Sequence, residues 1–142
     1  MIDAKTAPYA ALLLRVALGI MFLAHSLYLK VMVFTVPGTV GFFESLGLPA
    51  AAAYLTIAAE ILGGIALILG VQTRLIAVAL LPVLLGATWV HAGNGWVFSA
   101  EGGGWEYPVF LAVAAAVQAL LGDGAHAVKQ PFSALGKAAA AR

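Results

Sequence analysis

Four apolar stretches divide the chain, at about Tyr9 to Phe34, Ala50 to Gly70, Arg74 to Ala92 and Trp105 to Leu121, and between them Gly, Pro and polar residues gather. At ~1.5 Å per residue, about twenty helical residues cover the ~30 Å hydrocarbon core of a bilayer. The pattern therefore predicts an all-α integral membrane protein, a four-helix bundle in one domain over residues 1–142. Only Val71 to Thr73 separate the second and third stretches, so those two helices must be antiparallel neighbours. The segment Thr35 to Pro49 mixes Phe42, Phe43, Leu46 and Leu48 with Glu44, Gly41 and Gly47, which predicts a short amphipathic helix over the bundle mouth. A Gly-rich segment, Gly93 to Gly104, joins the third and fourth stretches, and Trp89, Trp96, Trp105 and Tyr107 cluster around it as an interfacial aromatic belt would. The tail after Asp123, mostly small and polar with Pro131 in its middle, is expected to lie on the cytoplasmic surface or to be loosely ordered.

Composition agrees with this pattern. Of 142 residues, 63% are hydrophobic and 9% charged, where a soluble domain carries roughly a quarter charged. A net charge of +1 lacks the dense basic stripe that nucleic acid requires. There is no Cys, which removes disulfide exchange, thiolate nucleophiles and Cys-ligated clusters. Lys5 precedes the first apolar stretch, yet Arg15 interrupts it and no small-x-small site closes it, so it reads as a membrane helix and not as a leader. Lys5, Arg74, Lys129, Lys137 and Arg142 fall on the side of the termini, while Glu44, Glu101 and Glu106 fall opposite. The positive-inside bias then places both termini in the cytoplasm.

Against that apolar background each ionisable residue needs a reason. Glu60 lies near the middle of Ala50 to Gly70, where an ionised acid costs about 3 kcal/mol without a partner. At ~100° per residue, Arg15, Gly19, Phe22, Ser26 and Lys30 share one face of the first helix, with His25 at its edge, and Thr56, Glu60, Gly63 and Gly64 share a face of the second. Counting from the helix ends brings Arg15 within ~6 Å of the depth of Glu60, so a buried Arg15–Glu60 ion pair is expected, with Arg74 as the competing partner. A second group gathers at the outer end. His25, His91 and Glu106 come to nearly one depth, with Lys30, Trp89 and Trp105 beside them. Such a pocket suits a quinone or quinol head group. Two imidazoles facing each other also permit a haem, though nothing else marks one, and two imidazoles with a carboxylate permit a metal. The alternative is that these groups only close the bundle against water.

The first helix RVALGIMFLAHSLYLK, the FFESLGLP segment, AEILGGIALILGVQTRLIAV, the HAGNGW loop and GGGWEYP together resemble the DoxX family along nearly the whole chain. The resemblance implies a four-helix inner-membrane protein whose DoxD relatives form the small subunit of thiosulfate:quinone oxidoreductase. It also implies kinship with DoxX proteins associated with a superoxide dismutase and a sulfurtransferase. The family's polar positions fall on Arg15, His25, Lys30, Glu60, Arg74, His91 and Glu106, and no catalytic roles come with them. The expectation is a membrane subunit that supports redox chemistry, an accessory to a quinone-linked oxidoreductase, with its ligand held by His25, Lys30, His91, Trp105 and Glu106. The other reading is a non-catalytic scaffold for a partner protein or a homo-oligomer, using the Ala-rich face of Leu111 to Leu121. A proton-coupled carrier built on Glu60 has no broken-helix pair or inverted repeat to support it.

Overall fold

A computed structural model describes residues 3–128. All its regular elements are helical: α1 (Ala7–Leu23) running on as a π-helix (Ala24–Val33), α2 (Val36–Ser45), α3 (Ala50–Leu69), α4 (Thr73–His91) with a 3₁₀ turn (Ala92–Asn94), and α5 (Glu106–Leu121). There is no strand among the described residues. Ala7–Val33, Ala50–Leu69 and Thr73–Asn94 are long and apolar enough to cross a membrane. α5 has 16 residues, about 24 Å at 1.5 Å each, and falls short of that length. Leu13, Leu55, Leu62, Leu85 and Leu120 are all more than half exposed. Apolar surface on that scale has lipid as its natural solvent.

The core draws on every long helix, joining Leu18 and Phe22 of α1, Leu67 of α3, Leu80 and Leu84 of α4 and Ala115 of α5. Glycines set how α1 meets α3. A Cβ on Gly19 would lie 2.6 Å from the Gly64 carbonyl oxygen, and one on Gly64 would lie 2.9 Å from that of Gly19, so only glycine permits the two backbones to touch here. Ser26 Oγ donates to the Ile57 carbonyl at 3.0 Å on the same seam. These two contacts fix the antiparallel register, and in that register Arg15 comes level with the last turn of α3.

The end of α3 is correspondingly well satisfied. Of its last four carbonyls, which have no intrahelical partner, Ala66 accepts from Val71 N–H at 2.9 Å and Leu67 from Gly70 N–H at 3.1 Å. Leu67 accepts again from Arg15 Nη1 at 2.9 Å, and so does Ile68 at 2.5 Å. Leu69 accepts from Val128 N–H at 3.0 Å. Arg15 Nη2 donates to the Ala125 carbonyl at 2.9 Å, Ala125 N–H to Pro8 at 2.8 Å, and Thr73 N–H at the start of α4 to Asp123 Oδ1 at 3.1 Å. A cation at a helix C-terminus and an acid at an N-terminus both complement the helix dipoles. The segment after α5, expected on the surface or loosely ordered, is thus tied across the ends of α1, α3 and α4 as far as residue 128. The rest of that tail, Pro131 included, lies outside the described residues.

The Ala-rich face of α5 is used within the chain. Ala115 is buried, and Leu111, Ala112 and Ala114 pack on the same core.

Candidate functional site

Glu60 does have a partner, and it is Lys30. Lys30 Nζ donates to Glu60 Oε2 at 2.7 Å and to Oε1 at 2.9 Å, a bidentate salt bridge with side-chain exposures of 19% and 6%. The expected Arg15–Glu60 pair does not form. It assumed that α1 and α3 end in one plane, whereas the glycine crossing slides Arg15 beyond Glu60 to the carbonyls at the end of α3. Arg74 is likewise elsewhere: a Cβ on Gly122 would meet its Nε at 2.9 Å, which puts it against the turn after α5.

Lys30 lies in the π-helix. Its amides pair five residues back, as Phe34 N–H does to the Leu29 carbonyl at 2.8 Å, and the wider turn keeps positions four apart nearer one face than α geometry does. Phe22 and Ser26 are buried on that face, and Lys30 continues it toward α3. Thr39 Oγ1 of α2 donates to the Lys30 carbonyl at 2.8 Å, fastening α2 to the same turn. α2 itself starts at Thr35, whose φ of 63° and ψ of 157° are strained for a β-branched residue. The Thr35 hydroxyl accepts from Gly38 N–H at 3.3 Å and caps the helix.

Beneath α2 lies a cavity of about 340 Å³. Phe42 and Phe43 of α2 and Leu46 just after it cover it, Pro82, Leu84 and Ala87 of α4 and Leu111 of α5 form apolar wall, and its polar lining includes Lys30, Glu60, Thr56, His25, His91 and Tyr107. The two histidines are held alike. His25 Nδ1 lies 2.9 Å from the Met21 carbonyl oxygen, and its ring stacks on Tyr107 at 6.0 Å between centroids. His91 Nδ1 lies 2.9 Å and 3.0 Å from the carbonyl oxygens of Gly102 and Gly103, which Asn94 Nδ2 also engages at the same two distances. Gly102 and Gly103 both have φ of 77°, a backbone that presents both carbonyls to one side and that side chains resist. The Tyr107 hydroxyl donates to Met21 Sδ.

Of the five residues expected around a ligand, the structure brings His25, Lys30 and His91 to this cavity and leaves Trp105 and Glu106 outside it. Trp105 packs edge-on against Trp96, 4.5 Å between centroids, and Glu106 Oε1 accepts from Phe98 N–H at 2.8 Å. Both close the loop between α4 and α5, tied further by Trp105 N–H to Gly95 O and Glu106 N–H to Trp96 O, each at 3.1 Å. Depth along a helix says nothing of the direction a side chain takes, and here the loop turns Glu106 away. The His–His–Glu arrangement that a metal would need is therefore not assembled, and among the described residues no other group of three His, Asp or Glu is placed to hold one. Glu60 takes the place expected for Glu106 as the acid of the site. Thr56 and Tyr107 are lining residues the sequence did not single out for it. The GGGWEYP motif holds Tyr107, but only its packing against Met21 and His25 identifies a role.

A family model described as DoxX matches residues 10–93, a range that holds His25, Lys30, Glu60 and His91 and stops short of α5. The chain is 40% identical over 83 residues to the protein of Bacillus subtilis (strain 168) named "Putative oxidoreductase CatD". That alignment covers 58% of this chain and 60% of the relative, so the similarity spans about three fifths of each. No solved structure matches the chain significantly.

Proposed function

The chain belongs to the DoxX family, and from that premise we propose that it is a multi-pass inner-membrane subunit supporting redox chemistry, which binds a quinone or lipid-like ligand beneath α2. In this reading residues 1–142 form one domain, α5 makes a fourth crossing and completes a four-helix bundle, and both termini are cytoplasmic. Lys5, Arg15 and Arg74 at the terminal end and Glu44, Glu101 and Glu106 at the other support that orientation. The redox association rests on the family and on the relative whose name contains oxidoreductase. With no Cys in the chain, electrons would pass through the ligand and a partner protein.

The observation that carries this function is the cavity itself, an apolar slot of ligand size with an ion pair and two anchored imidazoles in its lining. A ligand with an apolar tail and a compact polar head matches both parts. Organic extraction of the purified protein, followed by mass spectrometry, is expected to release such a molecule in near-stoichiometric amount. Ala87→Trp, which fills the slot from α4, is expected to lower the yield at least fivefold. Absence of any quinone or lipid above the detergent background, or an unchanged yield from the filled variant, rules the site out.

The alternative, a non-catalytic scaffold for a partner protein or a homo-oligomer, draws on the Ala-rich α5, of which Ala112, Ala114 and Ala115 pack on the core of this chain. A partner protein is retained as the electron donor or acceptor.

A further inference from the structure

The hydrogen-bonding state of the cavity says more about its ligand than its shape does. A carbonyl oxygen only accepts, so the contacts of His25 Nδ1 with Met21 O and of His91 Nδ1 with Gly102 O and Gly103 O require a proton on each Nδ1. In the neutral imidazole this leaves Nε2 of both rings as a bare acceptor. The two rings come from different helices, α1 and α4, and both line the cavity. Glu60 adds acceptor capacity, since each of its oxygens receives one bond from Lys30 and retains a free lone pair. The donors are fewer. Lys30 spends two of its three N–H groups on Glu60, and the Tyr107 hydroxyl is turned to Met21 Sδ. The remaining Lys30 N–H, the Thr56 hydroxyl and the indole N–H of Trp89, which also lines the cavity, are what is left to give. Nor does the site carry net charge to hold an anion, because the bidentate pair cancels itself.

Resting on the reading that this cavity is a ligand site, we infer that it selects a ligand whose head group donates hydrogen bonds: a dihydroxy aromatic with an apolar tail, the hydroquinone form in preference to the quinone. A hydroquinone offers two O–H groups to the two Nε2 acceptors. A quinone offers two carbonyl oxygens, which leave those acceptors unpaired where the bound head group shuts out water, and acceptors desolvated without a partner cost binding. The inference concerns binding alone and needs no electron acceptor.

The test is anaerobic equilibrium dialysis of the full chain in nanodiscs against decylubiquinol and, separately, decylubiquinone. Wild type is expected to bind the hydroquinone at least tenfold more tightly. His25→Phe and His91→Phe, made separately, should each weaken hydroquinone binding about tenfold while moving quinone binding less than threefold, so the ratio collapses toward one. Reading the ratio separates ligand pairing from any general loosening, and His25, hydrogen-bonded only within its own helix, provides a variant that leaves the hydrogen bonds of the α4–α5 loop alone. Equal or tighter binding of the quinone by wild type, or a ratio that survives both substitutions, overturns this inference while the ligand site stands. Binding of neither form overturns both.

Discussion

Glu60→Leu is expected to destabilise the protein by about 3–5 kcal/mol, the range for removing one partner of a buried ion pair, because it strands the Lys30 ammonium in an apolar wall. Lys30→Met alone strands the carboxylate and should cost a similar amount. The double variant, Lys30→Met with Glu60→Leu, replaces both charges by apolar groups of comparable length and is expected to recover most of the loss. Unfolding by SDS titration in one detergent, followed by circular dichroism, reads all four proteins. A strongly non-additive cycle assigns the loss to a stranded charge, whereas additive effects would mean that Lys30 and Glu60 do not meet. Because the pair joins the π-helix to α3 beneath α2, the two single variants should also loosen the cavity.

The second large effect belongs to the opposite end. Arg15→Met removes bonds to the carbonyls of Leu67, Ile68 and Ala125 and leaves the Ile68 carbonyl with no capping donor. At about 1.5–3 kcal/mol for each bond to a charged donor, and with the three sharing one side chain, a total of about 3–5 kcal/mol is expected. The fold also supplies a local readout. The segment after α5 is held by Arg15 through Ala125, so cleavage by proteinase K between residues 122 and 128 should accelerate well before the helices melt. Arg15→Lys should recover only part of this, since a single ammonium lacks the planar fork that serves both α3 and the returning segment. Cleavage at the wild-type rate in Arg15→Met would show that other contacts hold that segment.

These two residues also mark how far the sequence could be read. The need of Glu60 for a partner follows from any insertion scale, and counting at ~100° per residue sets Arg15 and Lys30 on one face of the first helix without saying which of them reaches it. Choosing between Arg15 and Lys30 required the register of α1 against α3. That register is set where Gly19 and Gly64 touch, a contact no single helix reveals. The π-helix from Ala24 to Val33 leaves no mark in the sequence, because HSLYLK carries no Pro or Gly to announce a wider turn. Spans near 50–70 and 74–92 are legible because long apolar runs bounded by Gly, Pro and polar turns admit few other structures, and a short helix within Thr35 to Pro49 because Phe42, Phe43, Leu46 and Leu48 among Glu44, Gly41 and Gly47 mark an amphipathic face. At the site, His25 and His91 could be found from helix counting. Glu106 and Trp105 could not be excluded, because the Gly-rich loop that turns them aside has no periodicity to extrapolate.

Photoaffinity labelling tests most directly whether a ligand sits in the cavity beneath α2. The full chain in nanodiscs, irradiated with an azido-substituted short-chain hydroquinone and mapped by peptide mass spectrometry, is expected to carry the label on cavity residues such as Phe42, Phe43 and His91, with competition by unlabelled decylubiquinol. Label spread over lipid-facing side chains such as Leu13, Leu62 and Leu120, unaffected by competitor, would contradict it.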